Sequence, residues 1–330
     1  MPETPAPSSR SPRPSGAKAV LATLAKWLVF LAVLFFVARA LARQFADVSW
    51  GELRVDVPTL ALAAAAVLAA KAMAFVYYGL LLGRFCPFPG WVPMMTSVWV
   101  AQVAKYLPGK VGNVIGMVVL LRRYRVAGQA AVSTVFIIDG LSVILGIMVA
   151  IPLTLWEPVA RVLPMAWLWC LLLLAAGAVC LHPRVFAAVG NRLLRALRYQ
   201  PLASLPKARD YLPPVAVMLG QFLVLGVGYW LMGRSIAAAP VWSLPIFTCA
   251  IVIASIAGFV AFFAPAGLGV QEGLLMLILA PVIGPAGAAL AAVLMRLVQT
   301  LADVILALAG YVIWRCLPPA GPGVEAGATT

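Results

Sequence analysis

Long apolar runs, cut at intervals by proline, glycine and basic residues, set the rhythm of this chain. The first uninterrupted run is about Val20–Val37 and the second about Val57–Leu82. Others follow at about Ala130–Leu155, Met165–Leu181, Pro213–Met232 and Ala286–Trp314. A hydrocarbon core takes roughly 20 apolar helical residues to cross, so each run predicts a transmembrane helix. Two further apolar stretches are interrupted. Trp91–Leu121 is broken by Lys105-Tyr106-Leu107-Pro108-Gly109-Lys110-Val111-Gly112-Asn113, and Val241–Ala280 by Pro265-Ala266-Gly267-Leu268-Gly269. The arms of the first stretch are short for a crossing, so a re-entrant helical hairpin is expected at each break. Irregular backbone exposed to lipid costs several kcal/mol per unsatisfied group, so each break has to be buried in protein or line a wet cavity. The expected fold class is all-α: a polytopic membrane helix bundle with about six full spans and two broken hairpins.

The polar segments complete the layout. Residues 1–17 are rich in Pro, Ser and Arg and cannot bury a core, so a disordered N-terminus is expected. The transmembrane domain then occupies 18–315, and the Pro/Gly/Ala-rich 316–330 is expected to be a disordered tail. A cleaved signal peptide is the rival reading of the first apolar run, which is long for that purpose. Between two spans, Pro183–Tyr211 places Arg184, Arg192, Arg195 and Arg198 among Leu, Val and Phe, the pattern of an amphipathic helix on the membrane surface. With both termini in the cytoplasm, basic residues on the cytoplasmic side outnumber those opposite by about three to one, which favours that orientation.

Composition narrows the function. The chain is 64% hydrophobic and 10% charged, too little polar surface to coat a soluble body. Its net charge of +14 sits in short loops beside apolar runs, so the charge predicts orientation and not nucleic-acid binding. The five cysteines are scattered and the single histidine, His182, lies at a helix end, so no metal or cofactor site and no histidine-based catalysis is expected. The chain contains no phosphate-binding G-x-x-x-x-G-K-[ST] motif for a nucleotide drive.

The two breaks correspond at an offset of 157. Pro108 falls on Pro265, Gly112 on Gly269, Gly116 on Gly273, and Asp139 on Arg296. Half-repeats of about 91–181 and 241–315 are therefore expected. Three crossings separate them, which gives opposite topology. Inverted repeats with interrupted helices are a transporter architecture, with sites at the repeat interface near the midplane. Chance is the competing account, because Pro and Gly are common in membrane helices.

Seven charged residues fall within apolar segments: Lys71, Lys105, Lys110, Asp139, Glu272, Arg296 and Asp303. Each costs about 2.5–3.5 kcal/mol at a helix centre on insertion scales, so each should face the interior and be paired. Arg296, Gln299 and Asp303 share one helix face, and Arg296 can reach Glu272 or Asp139. Lys71 either snorkels or pairs with an acid. Structural ion pairs account for these charges in one reading. In the other, helix starts near Val111 and Gly267 aim unpaired N–H groups and a positive dipole end at a ligand. Lys105 and Lys110 beside one such start suit a phosphate. Glu272, in the first turn of the other, suits an amine or a proton. Four basic and three acidic groups fit an anionic or zwitterionic headgroup. Trp, Tyr and Phe near helix ends are expected to be interfacial anchors.

At these residues the chain resembles the flippase-like transmembrane region of lysylphosphatidylglycerol synthases and the stand-alone membrane proteins related to it. The resemblance is carried by Lys105–Gly112, Ile138-Asp139, Pro265-Ala266-Gly267-Leu268-Gly269-Val270-Gln271-Glu272-Gly273 and Arg296-Leu297, within about residues 20–315. It implies a flippase-like domain of a bacterial inner membrane, with the family's glutamate motif at Glu272 and its late arginine at Arg296. Gly140, Asn113 and Ala266 depart from residues frequent in that family, so the first-half site differs in charge. The soluble aminoacyl-transferring domain of full-length synthases has no counterpart here, and lysyl transfer is not expected.

The expected function is translocation or binding of a phospholipid or polyprenyl-phosphate lipid at a midplane site. The expected binding residues are Lys105, Lys110, Asp139, Glu272, Arg296 and Asp303. The helix-break residues are Pro108, Gly109, Gly112, Pro265, Gly267 and Gly269. Two alternatives stay open: an intramembrane enzyme of lipid or glycolipid biosynthesis, disfavoured by the lack of clustered acids, and a non-transporting partner of a lipid-modifying enzyme. Small-residue faces in Ala286–Gly310 allow a homo-oligomer.

Overall fold

The computed structural model describes residues 55–104, 112–157, 160, 165–181, 191–192, 195, 206–261, 267 and 269–317. Expectations that rest on the first apolar run, on Lys105, Pro108, Gly109, Lys110 and Pro265, on most of the 183–211 segment and on both tails lie outside these residues.

Within them the chain is helical throughout: α1 Val57–Ala72, α2 Ala74–Leu82, α3 Trp91–Val103, α4 Gly112–Arg122, α5 Gly128–Thr154, α6 Ala166–Leu181, α7 Leu212–Ala237, α8 Leu244–Val260 and α9 Val270–Cys316. Proline in the first turn starts α1, α7 and α8, where its missing N–H has no partner to lose. Among the described residues, five stretches are long and apolar enough to cross a membrane: Val57–Leu82, Gly128–Thr154, Ala208–Ala237, Val241–Phe259 and Val270–Cys316. The chain is thus a multi-pass all-α membrane protein.

Three details refine the sequence-based layout. First, α3 and α4 are 13 and 11 residues long, about 20 and 16 Å, and neither crosses a core of about 30 Å. Second, the Val241–Phe259 stretch is 19 residues, so the arm before the second break has span length. Third, α9 is a hairpin and not a 47-residue rod. Its backbone leaves helical geometry at Ile283 and Gly284, the latter at φ 73°, ψ 160°. Arg296 Nε lies 3.3 Å from Glu272 Oε1. On a straight helix those residues would be about 36 Å apart. They stand equally far from Gly284, so the chain reverses there and the arms 270–282 and 285–316 pack side by side.

Helix ends agree with the 157-residue offset. The C-caps of α3 and α8 are Ala104 and Ala261, and the start of α4 at Gly112 matches the N-cap Gly269 of α9. The N-cap of α5, Ala127, matches Gly284. The match also takes in α1–α2 against α7, residues outside the expected half-repeats. These helices are antiparallel neighbours: the Asp56 N–H donates to the Ser235 carbonyl at 2.8 Å, so the start of α1 meets the end of α7. Gly228 of α7 lies against Val67 and the Ala63 carbonyl of α1, close enough that a Cβ would meet atoms at 3.0–3.2 Å.

Two apolar cores result. One gathers α2 to α5, with Tyr78, Leu81, Leu82, Met94, Met117 and Ile138. The other gathers α7 to α9 with the start of α1, around Tyr229, Met232, Phe247 and Leu279. The crossover packing is reciprocal. Gly310 of α9 sits on Trp99, Thr96 and Val100 of α3, and Gly146 of α5 sits on Val252 and Ile256 of α8. At one end, Arg123 closes the bundle: it donates to the Trp314 carbonyl at 3.2 Å and to the Leu317 carbonyl, with its guanidinium 4.5 Å from the Trp314 ring centroid.

Candidate functional site

The second break is built around one carboxylate. Glu272 is 4% exposed, in the first turn of α9. Its Oε2 accepts the Gly269 N–H at 2.6 Å, closing a cap on a helix start that would otherwise leave donors unmet. Gly269 needs its φ of 83°, which glycine adopts without steric cost. Glu272 Oε1 faces Arg296 Nε at 3.3 Å as an ion pair, with angles outside hydrogen-bond range. Arg296 Nη1 also donates to Gln271 Oε1 at 2.8 Å. The guanidinium is held from two sides by the neighbouring arm of its own hairpin.

Close packing fixes that arm. A Cβ on Gly258, near the end of α8, would stand 2.6 Å from Gln271 Nε2, and one on Gly267 would stand 2.6 Å from the Gly258 Cα. Gly267 also holds φ 70°. At the first break a Cβ on Gly112 would overlap the Ala104 carbonyl, so glycine there lets the chain return against the end of α3. The two breaks share this device.

Asp139, midway along α5, accepts a hydrogen bond from the Tyr78 hydroxyl at 3.3 Å. Asp139 and Arg296 both line a cavity of about 310 Å³ between the two cores, together with Tyr77, Tyr78, Gln102, Asn113, Ser142, Ser255, Gln271 and Gln299. Three pairs of its lining residues are related by the 157 offset: Gln102 with Phe259, Asp139 with Arg296, and Ser142 with Gln299. The cavity therefore presents an acid and a guanidinium at positions 157 residues apart, among amides and hydroxyls that can donate or accept.

The two remaining intramembrane charges among the described residues meet elsewhere. Lys71 Nζ lies 2.7 Å from Asp303 Oδ1, with side chains 15% and 4% exposed. The pair lines a second cavity of about 150 Å³ with Tyr77, Trp99, Gln102, Gln221 and Gln299. This is where the Val57–Leu82 span breaks, at Met73 between α1 and α2. Gln221 Nε2 donates to the Ala70 carbonyl at 2.8 Å and Trp99 Nε1 to the Ala72 carbonyl at 3.1 Å, satisfying acceptors near the break. A third cavity of about 210 Å³ opens beside Asp139, Ser142, Ser255 and Phe259, with Phe222, Leu225 and Ile256.

The structure thus brings Asp139 and Arg296 to one cavity, places Glu272 behind Arg296 as its holder, and sets Asp303 with Lys71 in the adjoining cavity. Gly112 and Gly267 make the close approaches just described, and Gly269 supplies the positive φ at the start of α9. Sequence reasoning passed over Tyr77, Tyr78, Gln102 and Gln221. The first two are buried, with lining positions where an interfacial anchor would be exposed. The signal that could have found the glutamines is an amide inside an apolar run, which needs a partner there. Among the described residues no group of three or more His, Cys, Asp or Glu gathers to hold a metal ion. Compared with known protein families and with curated proteins, the chain matches no family model and no curated relative.

Proposed function

We propose that this membrane protein binds the headgroup of a phospholipid or polyprenyl-phosphate lipid in the cavity between its two halves and passes it between leaflets. The observation that carries this reading is the cavity wall itself. Asp139 and Arg296 occupy corresponding positions of the two halves, face a common space of about 310 Å³, and are surrounded by neutral polar side chains.

Arg296 supplies the fork geometry that matches a phosphate, and its hold by Glu272 and Gln271 keeps it aimed without a search through rotamers. Asp139 offers the opposite charge to an ammonium. A zwitterionic or anionic headgroup meets both demands better than a simple cation. The shared helix-end offsets and reciprocal packing support an inverted repeat, in which one half rocks against the other about a fixed site. The flippase-like resemblance of the Gly267–Gly273 stretch agrees with this reading. It makes the protein a transporter of lipid and not an enzyme, in the inner membrane of a bacterium with both termini cytoplasmic.

The test is lipid scrambling in proteoliposomes. Purified protein, reconstituted with fluorescent phosphatidylglycerol, aminoacyl-phosphatidylglycerol or polyprenyl-phosphate, should move one class faster than the others. Arg296→Gln should abolish that selectivity while the protein stays folded by circular dichroism and gel filtration. If no lipid moves and the protein instead copurifies with a lipid-modifying enzyme, it is a partner and not a translocase.

A further inference from the structure

We propose that the Lys71–Asp303 pair is a proton-exchange site, at which uptake of a proton accompanies entry of a phosphate-bearing headgroup. The lipid in this proposal rests on the translocase reading above. The site itself rests on geometry.

Asp303 is buried and Lys71 partly so, yet the pair is not packed solid. Lys71 Nζ and Asp303 Oδ1 are 2.7 Å apart and line a cavity of about 150 Å³, with Tyr77, Gln102, Gln221 and Gln299 as further polar lining. A space of this size has room for several waters against its polar side chains, and such waters would give the pair a path for protons. Tyr77, Gln102 and Gln299 also line the larger headgroup cavity, so the two spaces share a wall.

Packing does not demand the pair. The positions 157 away from Lys71 and Asp303 are Gly228 and Gly146. Both are closely packed: Gly228 against Val67 and Ala63, Gly146 against Val252 and Ile256. One half of the molecule seats its helices through glycine where the other carries a buried charge pair. Such a pair is a weak source of stability compared with apolar packing, because desolvation offsets much of its attraction.

The charges around Asp303 set the sense of coupling. Facing it are Lys71 from α1 and Tyr77 from α2, while Arg296, two turns back on α9, lines the neighbouring cavity. Trp99 and Gln102 of α3 and Gln221 of α7 are neutral, and α8 carries no charged side chain. In the exchange step the Asp303 carboxylate takes a proton from a hydronium ion in the cavity. An O–H bond forms on the carboxyl and a water is left. The pair passes from no net charge to one positive charge on Lys71, which exchanges its carboxylate partner for a phosphate oxygen of the headgroup. Loss of the headgroup returns the proton to water. By linkage the effects are mutual: the anion draws in the proton and the proton draws in the anion by the same factor.

Two readouts test this. In weakly buffered detergent with a pH-sensitive dye, adding dihexanoyl phosphatidylglycerol to the wild-type protein should produce uptake of about one proton per lipid bound, since one carboxylate changes state. Asp303→Asn should bind without uptake. Because that variant leaves the Lys71 charge buried, the double variant Lys71→Gln/Asp303→Asn, which removes both charges, provides a second uptake-free protein whose folding is easier to retain. In proteoliposomes, an imposed pH gradient should speed movement of fluorescent phosphatidylglycerol several-fold in wild type and leave both variants unchanged by the gradient. Translocation with no proton uptake would overturn the exchange site and leave the translocase reading intact. Uptake with no translocation would overturn the translocase reading and leave the site standing. Neither in folded wild-type protein would overturn both.

Discussion

The cavity beside Lys71 and the cavity beside Ser142 occupy related places in the molecule and differ in chemistry. Each lies between α7, with Phe222 and Leu225 in both walls, and a helix pair from opposite halves. Across the 157 offset, Trp99 of the first matches Ile256 of the second, Gln102 matches Phe259, and Gln299 matches Ser142. Where the first has Lys71 and Asp303, the corresponding positions are Gly228 and Gly146. The same helical frame therefore tolerates an ion pair with amides on one side and, on the other, the single acid Asp139 with two serines among apolar residues. What differs is chemistry and not architecture.

The comparison can be broken or sharpened in steps. The largest effect is expected from Arg296→Gln, which removes a cavity-facing cation and leaves Glu272 buried without its ion pair. Breaking one partner of a buried pair costs about 3–5 kcal/mol. Headgroup-selective scrambling should fall to background, and a chemical-denaturation or thermal series should show the loss. The double variant Glu272→Gln/Arg296→Gln should recover much of the stability and none of the transport. Next is Gly226→Val. A Cβ there overlaps the Thr248 side chain, and overpacking costs about 1–3 kcal/mol, so thermal stability should drop with no change in headgroup preference among surviving molecules. Gly284→Ala comes third. No atom lies within 4 Å of the added Cβ, so its cost is backbone strain alone, of order 1–3 kcal/mol. The smallest effect is expected from Ser142→Gln, which copies Gln299 into the quieter cavity. Folding should be unchanged within about 0.5 kcal/mol, because the side chain enters existing space. Its readout is headgroup preference in the scrambling assay, which should widen toward phosphate-bearing lipids.

Much of the frame was legible in the sequence because lipid imposes a simple rule: backbone groups must be paired inside each segment. That rule located α5 and α7 to within a few residues, and the Pro/Gly clusters marked both breaks. The Arg296–Glu272 contact was also within reach, since opposite charges inside apolar runs need partners. The pairing of Lys71 with Asp303 was not, because 232 residues separate them and no local pattern encodes that contact. From its own segment alone, Lys71 reads as either a snorkelling or a paired residue. The match of α1–α2 to α7 was hidden for a different reason. Helices that meet through Ala63, Val67 and Gly228 need only small size and close approach, and many sequences satisfy that. Gly284 was hidden by its surroundings: Pro281 and Pro285 drew the boundary between two helices, and nothing in an apolar run tells a bend from a full reversal.

That reversal carries a consequence for how the protein is made. The 47 residues from Val270 to Cys316 leave the ribosome as one helix-forming apolar stretch, about 70 Å long if it stayed straight and more than twice the thickness of the hydrocarbon it enters. Two residues, Ile283 and Gly284 at φ 73°, turn it into two arms that fit. The order of events then matters. The turn at Gly284 has to form before Glu272 and Arg296 can neutralise each other, so these two charges enter the bilayer together, already on facing arms, or wait at its edge until the glycine has folded.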